Sequence, residues 1–251
     1  MSFFRNVVFL AAIAGLLAGL ALAVMQTFTT VPLILQAETF ENGAVPAHDH
    51  GAAAEQPAAG QDAAAVETAE HEEEGWAPAD GMERTSFTFL ANLVTGVGFA
   101  LVLVAVSELA GGIAGWRNGL VWGFAGFAVF TLAPGLGLPP ELPAMPAADL
   151  AARQAWWIAT VAATGVGLWL IAFRSSPIMA VVGLALIVLP HIIGAPQPVS
   201  HESPIPPDLH HRFIVAVTVT NLLFWMVLGA AVGVFRERFL GAAEALRPRI
   251  A

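Results

Sequence analysis

The sequence contains no cysteine and few charged residues. Without cysteine the chain forms no disulfide bond, thiolate metal site or cysteine nucleophile, so any metal must be held by nitrogen and oxygen ligands. Charged residues make up 12% of the 251 residues and hydrophobic residues 57%, whereas ordinary soluble domains carry about a quarter charged residues. The mean hydropathy is +0.72. This composition predicts an integral membrane protein.

The sequence also lacks the short motifs that accompany common hydrolytic reactions. It has no GxxxxGK nucleotide-binding loop, no HExxH zinc motif and no serine-nucleophile elbow. ATP hydrolysis and proteolysis are therefore unsupported. We expect the chain not to be an enzyme and not to bind nucleic acid.

Long apolar runs predict an all-α integral membrane protein, a six-helix transmembrane bundle that forms one membrane domain over residues 1–251. The fifth run is short of the roughly 20 residues that a span needs, so tilt, local thinning or a broken helix must compensate. Pro134 is expected to break or kink the third helix. The predicted helices cover approximately residues 7–35, 87–109, 119–138, 156–173, 178–193 and 213–235.

Small residues recur every fourth position in several of these helices, which predicts close helix packing. A cleaved signal peptide is the alternative for the first run, but apolar sequence continues past Ala23 and the small residues favour a retained helix. The stripes are Ala11, Gly15, Gly19 and Ala23, then Gly119 and Gly123, then Ala155, Ala159, Ala163 and Gly167, and finally Gly229 and Gly233.

The polar segment of residues 36–85 holds 12 of the 19 acidic residues. No apolar periodicity survives between residues 44 and 75, which predicts a largely disordered acidic outer loop. His48, His50 and His71 stand among its carboxylates, and such groups capture divalent cations weakly. The alternative is a solvating loop whose histidines are incidental.

The arginines predict the orientation in the membrane. With the N-terminus inside, seven of the ten basic residues, all arginine, lie on the cytoplasmic side, in agreement with the positive-inside rule. Both termini are therefore predicted to be cytoplasmic. All seven histidines and 16 of the 19 acidic residues then lie on or near the outer face. A protein that collects cations would look like this, although an arbitrary acidic surface would too.

A proline-rich stretch, residues 134–157, separates the third and fourth predicted helices. Its five prolines prevent either helix from continuing through this stretch, which predicts a stiff cap over one face of the bundle. The string GLPPELPAMPAADLAARQAWW (137–157), with LPHIIGAPQP (189–198) and PLILQAETFE (32–41), closely resembles the cobalt transporter subunit CbtA family of bacterial inner-membrane proteins. The resemblance covers nearly every segment except residues 43–80.

This resemblance implies an inner-membrane subunit of a Co²⁺ uptake transporter, with Co²⁺ as the transported ion and no tightly bound cofactor. It also implies a small partner, a CbtB-type single-span subunit that bears histidines. The residues themselves do not select cobalt, because imidazole nitrogen and carboxylate oxygen also suit Ni, Zn, Cu and Fe.

Nine side chains are candidate metal ligands. We expect His191, beside Pro190 at the outer end of the fifth helix, to be the best single ligand, with two carboxylates of the cap as co-ligands. The alternative for His191 is an interfacial histidine bonded to a neighbouring carbonyl. The candidates are His191, Glu141, Asp149, His201, His210, His211, His48, His50 and His71.

Six further polar residues are candidates for the pathway or for structural roles. Arg153 at a helix start is expected to pair with Glu141. The amide side chains are expected to form interhelical hydrogen bonds first. A carboxylate at membrane depth is a functional candidate, but the one in the second helix could equally pair with Arg117 at the interface. The six are Glu108, Gln26, Asn92, Arg153, Gln154 and Asn221.

Two other function classes remain open. One is a membrane enzyme that acts on a small or lipid substrate through Glu141, Asp149 and His191. The other is a metal-sensing membrane scaffold whose bundle has no polar interior. A continuous polar route from the cap toward Glu108 would favour transport over both.

Overall fold

The structure, a computed structural model, describes residues 2–42 and 78–241. All regular elements in these residues are helical, which confirms the predicted all-α class. The elements are α1 (Ser2–Phe28), α2 (Thr30–Asn42), α3 (Met82–Leu109), α4 (Gly115–Phe127), α5 (Ala133–Gly137), α6 (Leu150–Phe173), α7 (Pro177–Ile193) and α8 (Pro207–Arg236), with π-helical turns at Ala128–Leu132 and Glu237–Gly241.

Five helical segments of the described chain are long and apolar enough to cross a membrane. They are α1, α3, the continuous segment from α4 to α5, α6, and α8 with the turn that follows it. The sixth predicted helix, α7, is apolar but has only 17 residues, which extend about 26 Å at 1.5 Å per residue. The prediction that this run is short is therefore confirmed. The predicted six spans are not, because five segments of the described chain meet the length of a span.

Several helices extend beyond their predicted bounds. The first predicted helix is two helices, and α2 continues to Asn42, so the polar loop predicted from residue 36 begins later. Four later helices start four to six residues early, α3 at Met82, α4 at Gly115, α6 at Leu150 and α8 at Pro207. An apolar run predicts only the part of a helix that lies in the hydrocarbon core of the membrane. The polar turns at the helix ends are therefore missed. The predicted disordered stretch, residues 44–75, lies outside the described residues.

Four helices, α1, α3, α4 and α8, form the core through glycine contacts. A Cβ atom on Gly15 of α1 would overlap the backbone of α3 at Gly96, and one on Gly119 of α4 would overlap the backbone of α8 at Gly229. The predicted stripes in α1, α4 and α8 are therefore confirmed as sites of close approach. At these positions the backbone of one helix touches the backbone of the next. A residue larger than glycine would therefore push the two helices apart.

The hairpin of α6 and α7 packs beside this core. Gly167 and Gly183 bring the two helices together, but the predicted stripe in α6 is partly wrong, since Ala155 and Ala159 are exposed. The buried face of α6 consists of Trp156, Thr160, Thr164 and Gly167. From Trp156 to Thr164 this face has the same four-residue spacing as the predicted stripe but begins one residue later, about 100° further around the helix. Spacing alone therefore does not show which face of the helix meets its neighbour.

The helix from α4 to α5 passes through Pro134 without breaking. Proline has no N–H to donate to the carbonyl four residues earlier, which belongs to Phe130. A π-helical turn precedes it, in which the N–H of Ala133 bonds to the carbonyl of Ala128 five residues back. The wider turn accommodates Pro134, so the predicted interruption takes the form of a π turn inside a continuous helix.

Candidate functional site

The segment of residues 138–149 connects α5 to α6 and forms the cap. Leu142 is buried at its centre, packed with residues of α2 and with Leu209 of α8. The ring Nε2 of His210 lies 3.0 Å from the carbonyl oxygen of Pro140, which joins the start of α8 to the cap. We call this end of the molecule the cap end.

A cavity of about 810 Å³ lies beneath the cap, between α5, the first π turn, the start of α6 and α8. We call it the cap cavity. Much of its wall is apolar, but six polar side chains face it. They are Glu141, Arg153, Gln154, Asn221, Thr131 and Thr218. Four of these were predicted as site or pathway residues, and the fold brings them to one cavity.

The two charged residues of the cap cavity form an ion pair. A guanidinium nitrogen of Arg153 lies 2.8 Å from a carboxylate oxygen of Glu141, and both side chains are about a quarter exposed (28% and 25%). The predicted pairing of an early α6 arginine with a cap carboxylate is confirmed. Asp149 instead caps α6, because its Oδ1 accepts the N–H of Ala152 at 2.8 Å, and it does not line the cavity.

His191 lies in the last turn of α7, half-buried behind Trp156. The two rings meet edge to face with their centres 5.8 Å apart. The indole Nε1 of Trp156 donates to the carbonyl oxygen of Pro190 at 3.2 Å. The next residue, Trp157, lines the cap cavity, whereas His191 does not. His191 therefore packs against Trp156 and does not line the cap cavity.

The predicted metal ligands do not gather into one site in the part of the chain that the structure describes. Within residues 2–42 and 78–241, no group of three or more His, Asp or Glu side chains is placed to hold a metal ion. His201 and His211 are exposed, and His210 contacts the cap. His48, His50 and His71 lie outside the described residues.

Phe130, in the first π turn, forms the floor of the cap cavity. Its ring stacks on Trp225 with centres 5.6 Å apart, and it meets Phe99 edge-on at 5.2 Å. A second cavity of about 580 Å³ is lined mainly by apolar side chains of α3, α4 and α6, and Phe130 lines it too. We call it the apolar cavity. Phe130 lines both cavities.

A third cavity, of about 520 Å³, lies between α1, α2, α3 and α8. Asn92 donates to the side-chain oxygen of Gln26 at 2.7 Å, which confirms the predicted interhelical bond between these amides. Arg84 of α3 forms an ion pair with Glu38 of α2. This cavity and the cap cavity lie on two sides of α8 and share Asn221.

The interhelical bond predicted for Asn221 is wrong. Its amide nitrogen donates to the carbonyl oxygen of Val217 in the same helix at 2.9 Å. A polar side chain in an apolar helix satisfies itself on the carbonyl one turn back when no partner faces it. Asn221 lines cavities on both sides of α8, and the bond that is observed lies within its own helix.

The model of the family described as "Probable cobalt transporter subunit (CbtA)" matches residues 4–237. The chain belongs to the CbtA family. No curated protein and no solved structure matches it. The cap and every residue that lines the cap cavity lie within the matched part of this CbtA chain. It is accordingly a multi-pass membrane protein and a cobalt transporter subunit.

At the end opposite the cap, the CbtA chain holds another ion pair. Arg236 donates through Nε and a terminal nitrogen to the two carboxylate oxygens of Glu108, at 2.6 and 3.0 Å. The partner considered from the sequence, Arg117, instead lies over the ring of Trp116. Gly112, at φ 84, leaves the space that the guanidinium of Arg236 fills. Between the cap cavity and Glu108 lie the aromatic residues around Phe130 and the apolar cavity. The continuous polar route that would favour transport over the other function classes is therefore not found in the described residues.

Two features of this site escaped the sequence analysis. Thr218 stands three residues before Asn221, on the same face of α8, so a search for polar residues at helical spacing would have found it. The pairing of Glu108 with Arg236 joins residues 128 positions apart. No local pattern in the CbtA chain indicates that contact.

Proposed function

We propose that the CbtA chain receives Co²⁺ from the periplasm in the cap cavity and passes it inward past Phe130. The observation that carries the proposal is the cap cavity itself, an open pocket of about 810 Å³ at the cap end of the bundle that Glu141, Arg153, Gln154 and Asn221 line. Polar side chains at membrane depth are costly and mark substrate pathways. The proposal places the chain in the bacterial inner membrane with both termini in the cytoplasm, which requires the 17-residue helix α7 to cross as a sixth span.

Collection would occur at the cap end. His201 and His211 are exposed there, and the acidic segment that carries His48, His50 and His71 joins α2 to α3 at the same end. Negative charge near a pathway raises the local concentration of cations. Imidazole binds metal only when neutral, so capture is expected to weaken as the pH falls below the His range.

Passage would require the aromatic floor to open. A hydrophobic constriction blocks ions by excluding water, and Phe130 occupies a π turn, an element frequent at functional sites. The membrane potential supplies about 2.3 kcal/mol per charge per 100 mV, so an inward-moving dication gains about twice that. A CbtB-type partner with a histidine-bearing helix would supply further ligands along the way.

Blocking the cap cavity tests whether it is the route. The chain contains no cysteine, so Thr218→Cys places a single thiol in the cavity wall. A bulky membrane-impermeant thiol reagent added from the periplasmic side should reduce uptake of radioactive cobalt at least tenfold in cells that also express the partner. The reason is steric, because the attached group fills the space that the ion must cross.

Gln197→Cys is the matched control, since Gln197 is exposed at the same end and lies outside the cavity. Its modification should leave uptake unchanged. Equal uptake by the modified Thr218→Cys protein would remove the cavity from the route. If the unmodified protein, together with its partner, binds metal but carries no metal flux, the transport proposal is wrong and a metal-sensing scaffold is favoured.

Removing the floor should connect the two cavities. In a protein with Ala162→Cys, whose thiol would lie in the apolar cavity, the same reagent should react slowly from the periplasmic side. Adding Phe130→Ala should accelerate that reaction at least tenfold, because water and reagent then pass the floor. Phe124→Ala, an exposed phenylalanine of α4, should have no such effect. A rate unaffected by Phe130→Ala would show that this ring closes nothing.

A further inference from the structure

The cap cavity is much larger than a hydrated metal ion. Six water molecules at roughly 30 Å³ each occupy about 180 Å³, whereas the cavity measures about 810 Å³. Sites for small organic molecules have volumes of about 300–1,000 Å³ and largely apolar walls with a few polar groups. The dimensions and lining of the cap cavity match the second class.

The charges of the cap cavity do not suit a bare dication. Its charged side chains are Glu141 and Arg153, and they neutralise one another at 2.8 Å. Arginine stays protonated in proteins, so a metal ion that approaches the Glu141 carboxylate also approaches a fixed positive charge. The described residues offer no group of three ligands to compensate.

Arg153 is well placed to bind an anion instead. A guanidinium carries five N–H donors, and its contact in the described chain is the one with Glu141. Gln154, the next residue, adds a side-chain amide to the same wall. A guanidinium beside an amide donor fits a carboxylate group, which arginine binds through paired hydrogen bonds.

We propose that the cap cavity takes up cobalt as a complex with a small organic carboxylate, and that Arg153 binds a carboxylate of that complex. The inference rests on the proposed function and specifies its substrate class. The organic molecule supplies the oxygen or nitrogen ligands around the metal, and the apolar wall of the cavity contacts its carbon skeleton. The positive charge that opposes a bare ion then becomes the recognition element.

Binding of three probes to the purified protein tests this proposal: Co²⁺ alone, citrate alone, and cobalt with excess citrate. We expect the cobalt–citrate complex to bind at least tenfold more tightly than Co²⁺ alone at pH 7. Arg153→Gln should weaken binding of the complex at least tenfold, and Arg153→Lys should restore part of it. Arg212→Gln, which changes an exposed arginine outside the cavity, is the control and should have no effect.

Glu141→Gln separates recognition from a structural role of the ion pair. It breaks the same bridge as Arg153→Gln but keeps the guanidinium, so binding of the complex should be retained or strengthened. If both variants lose binding equally, the bridge only holds the cap and the proposal is overturned. If Glu141→Gln abolishes binding of bare Co²⁺ while Arg153→Gln improves it, the cavity takes the bare ion. That second outcome overturns this inference and leaves the proposed transport through the cavity intact.

Discussion

Arg236→Met is expected to lower the free energy of unfolding by about 3–5 kcal/mol, the cost of leaving one member of a buried ion pair unpaired. Arg236 and Glu108 make two hydrogen bonds, and their side chains are only 10% and 16% exposed. Loss of the guanidinium leaves the carboxylate with little access to water. Unfolding of the purified protein in detergent, followed by the helical circular dichroism signal, measures the loss.

Arg238→Met is the control, because Arg238 is exposed in the same turn. It should change stability by less than about 0.5 kcal/mol. Combining Arg236→Met with Glu108→Met should recover most of the loss, since an apolar pair of similar volume replaces both charges. If Arg236→Met costs no more than Arg238→Met, the ion pair does not fasten α8 to the end of α3.

Gly229→Ala is expected to destabilise the protein by about 3 kcal/mol, at the upper end of the range for overpacking. The added Cβ would overlap the carbonyl oxygen of Gly119, and a backbone atom cannot rotate out of the way as a side chain can. Helices α4 and α8 would have to separate along their contact. The same unfolding measurement in detergent reports the change.

Gly98→Ala is the matched control. Gly98 also lies inside a membrane-crossing helix, α3, but a Cβ there meets nothing within 4 Å. Alanine has a higher helix propensity than glycine, so this change should be neutral or stabilising by up to about 1 kcal/mol. Equal effects of the two substitutions would mean that the glycine contact between α4 and α8 is not close.

The sequence predicts the helices of this protein well because a membrane helix depends mainly on the residues within it. An apolar run with satisfied backbone hydrogen bonds is helical whatever surrounds it. The small-residue spacing also identifies Gly119 and Gly229 correctly, since helix contacts in lipid require close backbones. In α6 the same reasoning selected Ala155, which is exposed, because spacing gives a periodicity but not the direction of the neighbouring helix.

At the candidate site, too, local features of the cap were predicted from the sequence, whereas a contact between distant residues was not. Its prolines predict a stiff connector, and the charges of Glu141 and Arg153 predict an ion pair that holds it. These two residues lie close together in the sequence. The prediction of His191 as a ligand beneath the cap depended on a contact across the bundle. In the structure the ring of His191 packs against Trp156 and does not line the cap cavity, and a sequence of helices does not specify such a contact.

By itself the sequence determined the membrane helices, the proline-rich cap, the acidic and histidine-rich segments and the family. These depend on local periodicity, composition and long matching strings. The tertiary structure alone decided that Glu141, Arg153, Gln154 and Asn221 share one cavity, that Phe130 lines it, and that Glu108 pairs with Arg236. Such contacts depend on how rigid helices rotate and pack, which short-range sequence patterns do not encode.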